Sequence, residues 1–105
     1  MKDLHFEVEA QKLHYANVKD FVGIIAGSKG YLRCIFSFDE DWQGCKTIAE
    51  FKAMKTGESF VAPVNNVSCR VPNEVTDGPQ FYIRLIGQRG QTRIITNWRL
   101  VEQEV

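Results

Sequence analysis

A chain of 105 residues fits a single domain, residues 1–105, and 44% hydrophobic with 25% charged residues is the composition of a folded globular protein. Thirteen Lys plus Arg offset thirteen Asp plus Glu. Zero net charge argues against a general nucleic-acid or anionic-membrane binder, which carries a basic excess, and leaves little repulsion against self-association. No apolar run approaches the roughly 18 residues of a membrane helix, and Met1-Lys2-Asp3-Leu4-His5 lacks the apolar core of a signal peptide, which predicts no Sec export.

Along the chain, apolar residues recur at every second position, and no long 3.6-residue period appears. Leu4, Phe6 and Val8 open the series, followed by Leu32, Cys34, Phe36 and Phe38. Next come Thr47, Ala49 and Phe51, then Phe60, Ala62 and Val64, then Val67, Cys69 and Val71. Phe81, Ile83 and Leu85, and finally Ile94, Thr96, Trp98 and Leu100, complete it. Each run predicts a strand with one buried face. Residues 11–26 are ambiguous: Leu13 and Tyr15 suggest one strand, Val22 to Ala26 another.

Turn chemistry separates the runs: Gly27-Ser28-Lys29-Gly30, Lys55-Thr56-Gly57-Glu58, Asn65-Asn66 and Gly87-Gln88-Arg89-Gly90. Pro72 and Gly78 bracket a segment suited to one helical turn crossing between sheets. About seven strands with turns at roughly 8–12-residue spacing predict an antiparallel sandwich or small barrel, of which an all-β, immunoglobulin-like antiparallel β-sandwich is the expected fold. The Cys…Trp…Cys spacing of true immunoglobulin domains is absent. Cys34, Cys45 and Cys69 therefore read as three free thiols, with Cys34 and Cys69 buried and Cys45, after Gly44, more accessible.

The residues give no catalytic signature. Both histidines, His5 and His14, lie in strand-like sequence away from any nucleophile context, and GxSxG is absent. Gly27-Ser28-Lys29-Gly30 lacks phosphate-loop spacing and reads as a hairpin. The cysteine spacings match no zinc module, so no cofactor or metal is expected. Asp39-Glu40-Asp41 reads as a solvated acidic loop. Trp42 and Trp98 read as core, the first plugging one end of the sandwich.

The segments Phe36-Ser37-Phe38-Asp39-Glu40-Asp41-Trp42, Lys46-Thr47-Ile48-Ala49-Glu50-Phe51, Cys69-Arg70-Val71-Pro72-Asn73-Glu74-Val75, Leu85-Ile86-Gly87 and Arg93-Ile94-Ile95-Thr96-Asn97-Trp98 occur in that order. In this the chain, over about residues 24–101, resembles small immunoglobulin-like domains of tail, baseplate or head-fibre proteins in phages and prophages of Gram-positive bacteria. The resemblance implies a non-enzymatic structural protein, an adaptor or decoration module that binds other virion proteins or a cell-surface polymer. It also implies residence in the host cytoplasm during assembly and then in the virion. Two other readings stay open: a carbohydrate-binding module using exposed aromatics, and a phage-encoded inhibitor of a host protein.

On three runs the outward positions are not simply polar. They are Tyr31, Arg33 and Ile35; Tyr82, Arg84 and Ile86; and Arg93, Ile95, Asn97 and Arg99. A short loop joins the last two runs, which places them side by side on one sheet. Tyr and Arg are enriched in interfaces, and the isoleucines add apolar area. The expectation is that this face docks a second copy or a neighbouring virion protein.

Overall fold

Alternating apolar residues can be buried by closing two sheets face to face, and that is the arrangement in the computed structural model, which describes all 105 residues. Nine strands form: β1 Lys2–Glu9, β2 Lys12–Tyr15, β3 Leu32–Phe38, β4 Lys46–Ala53, β5 Ser59–Pro63, β6 Ser68–Arg70, β7 Gln80–Arg89, β8 Thr92–Ile95 and β9 Arg99–Glu102. One sheet has the order β2-β1-β3-β6. The other has the order β5-β4-β7-β8, with β9 also on β7. Between them lies a core that includes Leu4, Phe6, Leu13, Cys34, Phe51, Phe81, Ile83 and Leu85, all essentially inaccessible to solvent. Each fully buried side chain of this size stabilises the fold by about 1.5–3 kcal/mol.

The count of nine corrects the expected seven in two places. The ambiguous segment supplies β2, and the last run is broken into β8 and β9. Val22–Ala26 is no strand and makes only an isolated bridge, Ile25 to Glu104. A short 3-10 helix at Val18–Phe21 precedes it, capped by the Asn17 side chain. The sandwich is also not wholly antiparallel. β1 and β3 run parallel over seven residue pairs, from Lys2 with Leu32 to Val8 with Phe38. A parallel pair needs a long connection to bring the chain back to its starting end; the antiparallel β2 begins that return and residues 16–31 complete it.

Three turns show how sequence sets the path. Asn65 and Ser68 exchange both backbone hydrogen bonds, at 3.0 and 3.1 Å, around Asn66 at φ 59°. The next such pair would be Pro63 with Arg70, and Pro63 has no N–H to give. The ladder stops there: β5 joins the five-stranded sheet, and β6 joins the four-stranded one. The 3-10 turn Asn73–Val75 then carries the chain from β6 back across to β7. Gly27–Gly30 is a crossover loop and not a hairpin; Lys29 Nζ ties it to Asn73 O at 2.8 Å and to Asp77 Oδ1 at 2.7 Å.

Asp39 caps the 3-10 turn Glu40–Trp42 and also accepts the Ala10 N–H at 2.7 Å. This seats Trp42, which is 3% exposed and donates its indole N–H to Ala10 O at 2.8 Å. Its ring packs against Gly87. Gly87 is an inward position within β7, and the turn of that hairpin lies further on, at Gly90. A Cβ at Gly87 would stand 2.7 and 2.9 Å from two Trp42 ring carbons.

Gly87→Ala should therefore destabilise the protein by about 1–3 kcal/mol in urea unfolding, because Trp42 is held by its own hydrogen bond and cannot move aside freely. The cysteines are free; Cys34 and Cys69 are buried and Cys45 is half-buried. Burial, and secondarily the neighbouring Cys69 thiol, push the Cys34 thiol well above its ordinary value. Thiol titration should accordingly find one fast group in the native protein and three in denaturant.

Candidate protein-binding face

The outer faces of the two sheets differ in chemistry. On the four-stranded sheet the outward residues are mostly charged or polar: Asp3, His5, Glu7 and Glu9 from β1, Arg33 and Ser37 from β3, and Lys12 and His14 from β2. They are matched locally across strands. Arg33 donates from both Nε and Nη2 to the Asp3 carboxylate, at 2.9 and 3.0 Å. That bond holds the Asp3 carboxyl below its usual value. Asp20, from the 3-10 helix, takes the His5 backbone N–H at 2.9 Å, and His5 Nδ1 lies 2.8 Å from the same oxygen. Burial works to raise the Asp20 carboxyl, yet these bonds outweigh it and hold the group low. Such a face is satisfied as it stands.

The five-stranded sheet is different. Cross-strand register places Pro63, Ile48, Ile86 and Ile95 in one row across β5, β4, β7 and β8. Residues directly opposite on neighbouring strands share a face, so this is a continuous outward aliphatic stripe. Ile48 is 36% exposed and the adjoining Val61 is 62% exposed. The next row holds Val61, Glu50 and Arg84, and the third holds Ser59, Lys52, Tyr82 and Leu100.

The aromatic end of this face comes from a break in the last strand. β8 pairs Ile86 with Ile95, whereas β9 pairs Ile83 with Arg99. Two residues of β7 thus oppose three residues, Thr96, Asn97 and Trp98: a β-bulge, which reverses the alternation beyond it. The Thr96 hydroxyl replaces a carbonyl in accepting the Leu85 N–H, at 2.9 Å. Asn97 turns to the other sheet, where Oδ1 accepts the Leu13 N–H at 2.8 Å and its own N–H reaches Gln11 O at 3.2 Å.

Trp98 emerges on the outer face opposite Arg84, which corrects its assignment to the core. The Arg84 guanidinium carbon lies 4.5 Å from the centre of a Trp98 ring, and Lys52 Nζ lies 5.9 Å away. Arg84 Nε also donates to Glu50 Oε1 at 2.7 Å. Lys52, Tyr82 and Trp98 line a shallow depression of about 280 Å³. The face carries Lys46, Lys52, Arg84 and Arg93 against Glu50 and Glu102, so its charge is positive around an apolar centre.

Of the expected interface residues, Tyr82, Arg84, Ile86, Arg93 and Ile95 do share this face. Arg33 and Ile35 lie on β3 in the opposite sheet, and Tyr31 immediately precedes that strand, so none of the three acts with them. Arg99 is turned inward by the bulge and stacks over the Tyr15 ring at 4.2 Å, so it leaves the set. Trp98, Ile48, Val61 and Lys52 complete the face; the run Lys46–Lys52 carried the signal in Ile48, an aliphatic at an outward position.

Elsewhere, no group of three His, Cys, Asp or Glu side chains is placed to hold a metal ion. No protein-family model, curated protein or solved structure matches the chain. Acrylamide should quench roughly the Trp98 share of native fluorescence, since Trp98 lies at the surface and Trp42 is enclosed; Trp98→Phe should leave a largely unquenchable emission. Equal loss of quenching in a Trp42→Phe variant would contradict this placement.

Proposed function

We propose that this chain is a non-enzymatic, immunoglobulin-like module of a phage or prophage virion, an adaptor or decoration protein that docks a neighbouring virion protein through the outer face of its five-stranded sheet. The observation that carries this reading is the in-register row Pro63, Ile48, Ile86 and Ile95, extended by Val61, Tyr82 and Trp98. Aliphatic and aromatic side chains aligned across four strands with cations at the border form the centre-and-rim pattern of protein interfaces. The Glu50–Arg84 pair lies within this centre, where Arg84 Nε binds Glu50 Oε1 and the remaining guanidinium N–H groups are free to meet acceptors on a partner. The partner surface is one with an apolar centre and carboxylates at its edge, assembled with this chain in the host cytoplasm and carried in the virion.

The ordered motifs support the phage resemblance by having structural work on this fold. The acidic-Trp segment forms the capped turn that closes one end of the sandwich. Val71-Pro72-Asn73-Glu74-Val75 crosses between sheets and buries Val71 and Val75.

A glycan-binding reading draws on the depression between Lys52, Tyr82 and Trp98, where a sugar could stack on aromatic rings. Quenching of Trp98 fluorescence by glycans from the host cell wall would favour it. For the docking reading, Tyr82→Ser combined with Ile95→Ser should shift unfolding free energy by no more than about 1 kcal/mol, as both sites are partly solvated. Affinity for the proteins encoded on either side of this chain, measured by interferometry, should fall at least tenfold. Unchanged binding to those neighbours, or a stoichiometric complex with a host enzyme recovered in their place, overturns the virion-docking role.

A further inference from the structure

The free edge of β5, whose Val61 also borders the candidate docking face, carries a second inference that rests on backbone groups and not on that face. β5 reads Ser59-Phe60-Val61-Ala62-Pro63 and contains no charge. Native edge strands commonly carry Lys, Glu or an inward charge that blocks pairing with another chain. The backbone bond from Val64 N–H to Thr47 O, with the register Ala49–Ala62 and Phe51–Phe60, fixes which β5 groups face β4. Phe60 and Ala62 spend their backbone groups on β4. Ser59 and Val61 therefore turn N–H and C=O outward, and Pro63 turns out its C=O alone.

Nothing in the fold covers this edge. β6, the nearest strand, departs at Pro63 and belongs to the other sheet. A groove of about 690 Å³ remains, lined by all five β5 residues on one side and by Arg70 to Glu74 on the other. Val61 stands beside it at 62% exposure.

We propose that β5 is a self-association edge, at which two copies of this chain pair β5 with β5 antiparallel about a two-fold axis through Val61. The occupant follows from the chemistry of the strand. A row of backbone donors and acceptors at strand spacing is matched by another extended backbone. An uncharged strand can meet itself without like charges in opposition, and a chain of zero net charge adds no long-range repulsion. In this register the two Val61 residues exchange both of their backbone bonds. At each end a Ser59 N–H donates to the Pro63 C=O of the second copy. The missing Pro63 N–H leaves only the Ser59 C=O unpaired, at an exposed position where water serves it. Both Val61 side chains come together on the outer face and lengthen the aliphatic stripe across the junction.

Light scattering after size exclusion at high micromolar concentration should give twice the 12.0 kDa of one chain. Val61→Lys sets two ammonium groups against each other at the axis and should weaken dimerisation at least tenfold. Val61→Thr, β-branched and uncharged, should leave it within about threefold. Both variants should keep the wild-type melting temperature when measured as dilute monomers. Hydrogen exchange supplies the readout specific to the edge: the Ser59 and Val61 amides should be protected in the dimer and exchange rapidly in the monomer. Three results overturn the proposal. One is a wild type that stays monomeric up to about 1 mM with both amides unprotected. Another is a dimer that Val61→Lys leaves intact while Tyr82→Ser with Ile95→Ser dissolves it, which assigns self-association to the sheet face. The third is protection of Ser59 and Val61 that arises only with a foreign polypeptide, which assigns the edge to a heterologous strand. Loss of neighbour binding in the Tyr82 and Ile95 variant, by contrast, tests the docking role alone.

Discussion

The hydrogen bond from the Leu85 N–H to the Thr96 hydroxyl governs the outer half of this molecule. By accepting with its side chain, Thr96 frees its carbonyl from the ladder and lets the chain take in one extra residue before β9 resumes. The stability of the single bond is modest, about 1 kcal/mol net. Its geometric consequence is large, because strand periodicity is two and one added residue exchanges the faces of everything beyond it. Trp98 is thereby turned outward above Arg84, and Arg99 inward onto Tyr15. Without the bulge the docking face would lose its largest aromatic, and the core would have to accommodate an indole where Arg99 now lies. The extra residue, Asn97, is used in turn to bind the β1–β2 hairpin through Leu13 and Gln11. The same local device thus joins the two sheets and shapes the exposed surface.

A second tie joins residues beyond β9 to the crossover between β2 and β3. Gln103 N–H bonds to Pro79 O, and Glu104 N–H to Ile24 O, both at 2.7 Å. Ala26 N–H returns to Glu104 O at 2.8 Å. The crossover that makes β1 and β3 parallel is therefore pinned by residues beyond β9, near the opposite end of the sequence. Gln103, nearly buried, uses its side-chain amide to close Thr76 O and Gly78 O, which fixes the loop after the 3-10 turn. An irregular crossover of this length would otherwise expose backbone groups without partners, which is why the tie is made through main-chain atoms.

These two features mark where the sequence could and could not be read. Alternation in Leu4 to Val8, Leu32 to Phe38, Lys46 to Phe51 and Phe81 to Leu85 translated directly into strands and into the buried faces, because each run is long and feels one apolar and one wet side. The two-sheet architecture followed from those runs. The parallel pairing of β1 and β3 was not legible, since strand direction depends on a crossover held by contacts with residues 103 and 104. The bulge left only a faint trace: Thr96-Asn97, two short polar residues in mid-strand, types that take backbone partners with their side chains. Read as plain alternation, the same residues put Trp98 in the core and Arg99 outside. Tyr31, Arg33 and Ile35 were joined with the other outward residues because periodicity reports a face on each strand and says nothing about which sheet the strand enters.

The two outer surfaces, once assigned to their own sheets, divide the chain's zero net charge unevenly. On the four-stranded sheet, Asp3 and Arg33 form an ion pair, His5 lies against Asp20, and register sets Glu9 across from Lys12. Paired exposed charges of this kind add little stability, yet they keep a sheet face hydrated and unattractive to other chains. On the five-stranded sheet the only ion pair, Glu50 with Arg84, is the most sheltered of the salt bridges by its side-chain exposure, with the aliphatic row on one side and Lys52, Tyr82 and Trp98 on the other. The guanidinium also rests on the Trp98 ring, which shields one of its faces from water. A charge distribution that hydrates one face and leaves the other apolar at its centre is a directional arrangement, and it distinguishes the two sides of this small sandwich.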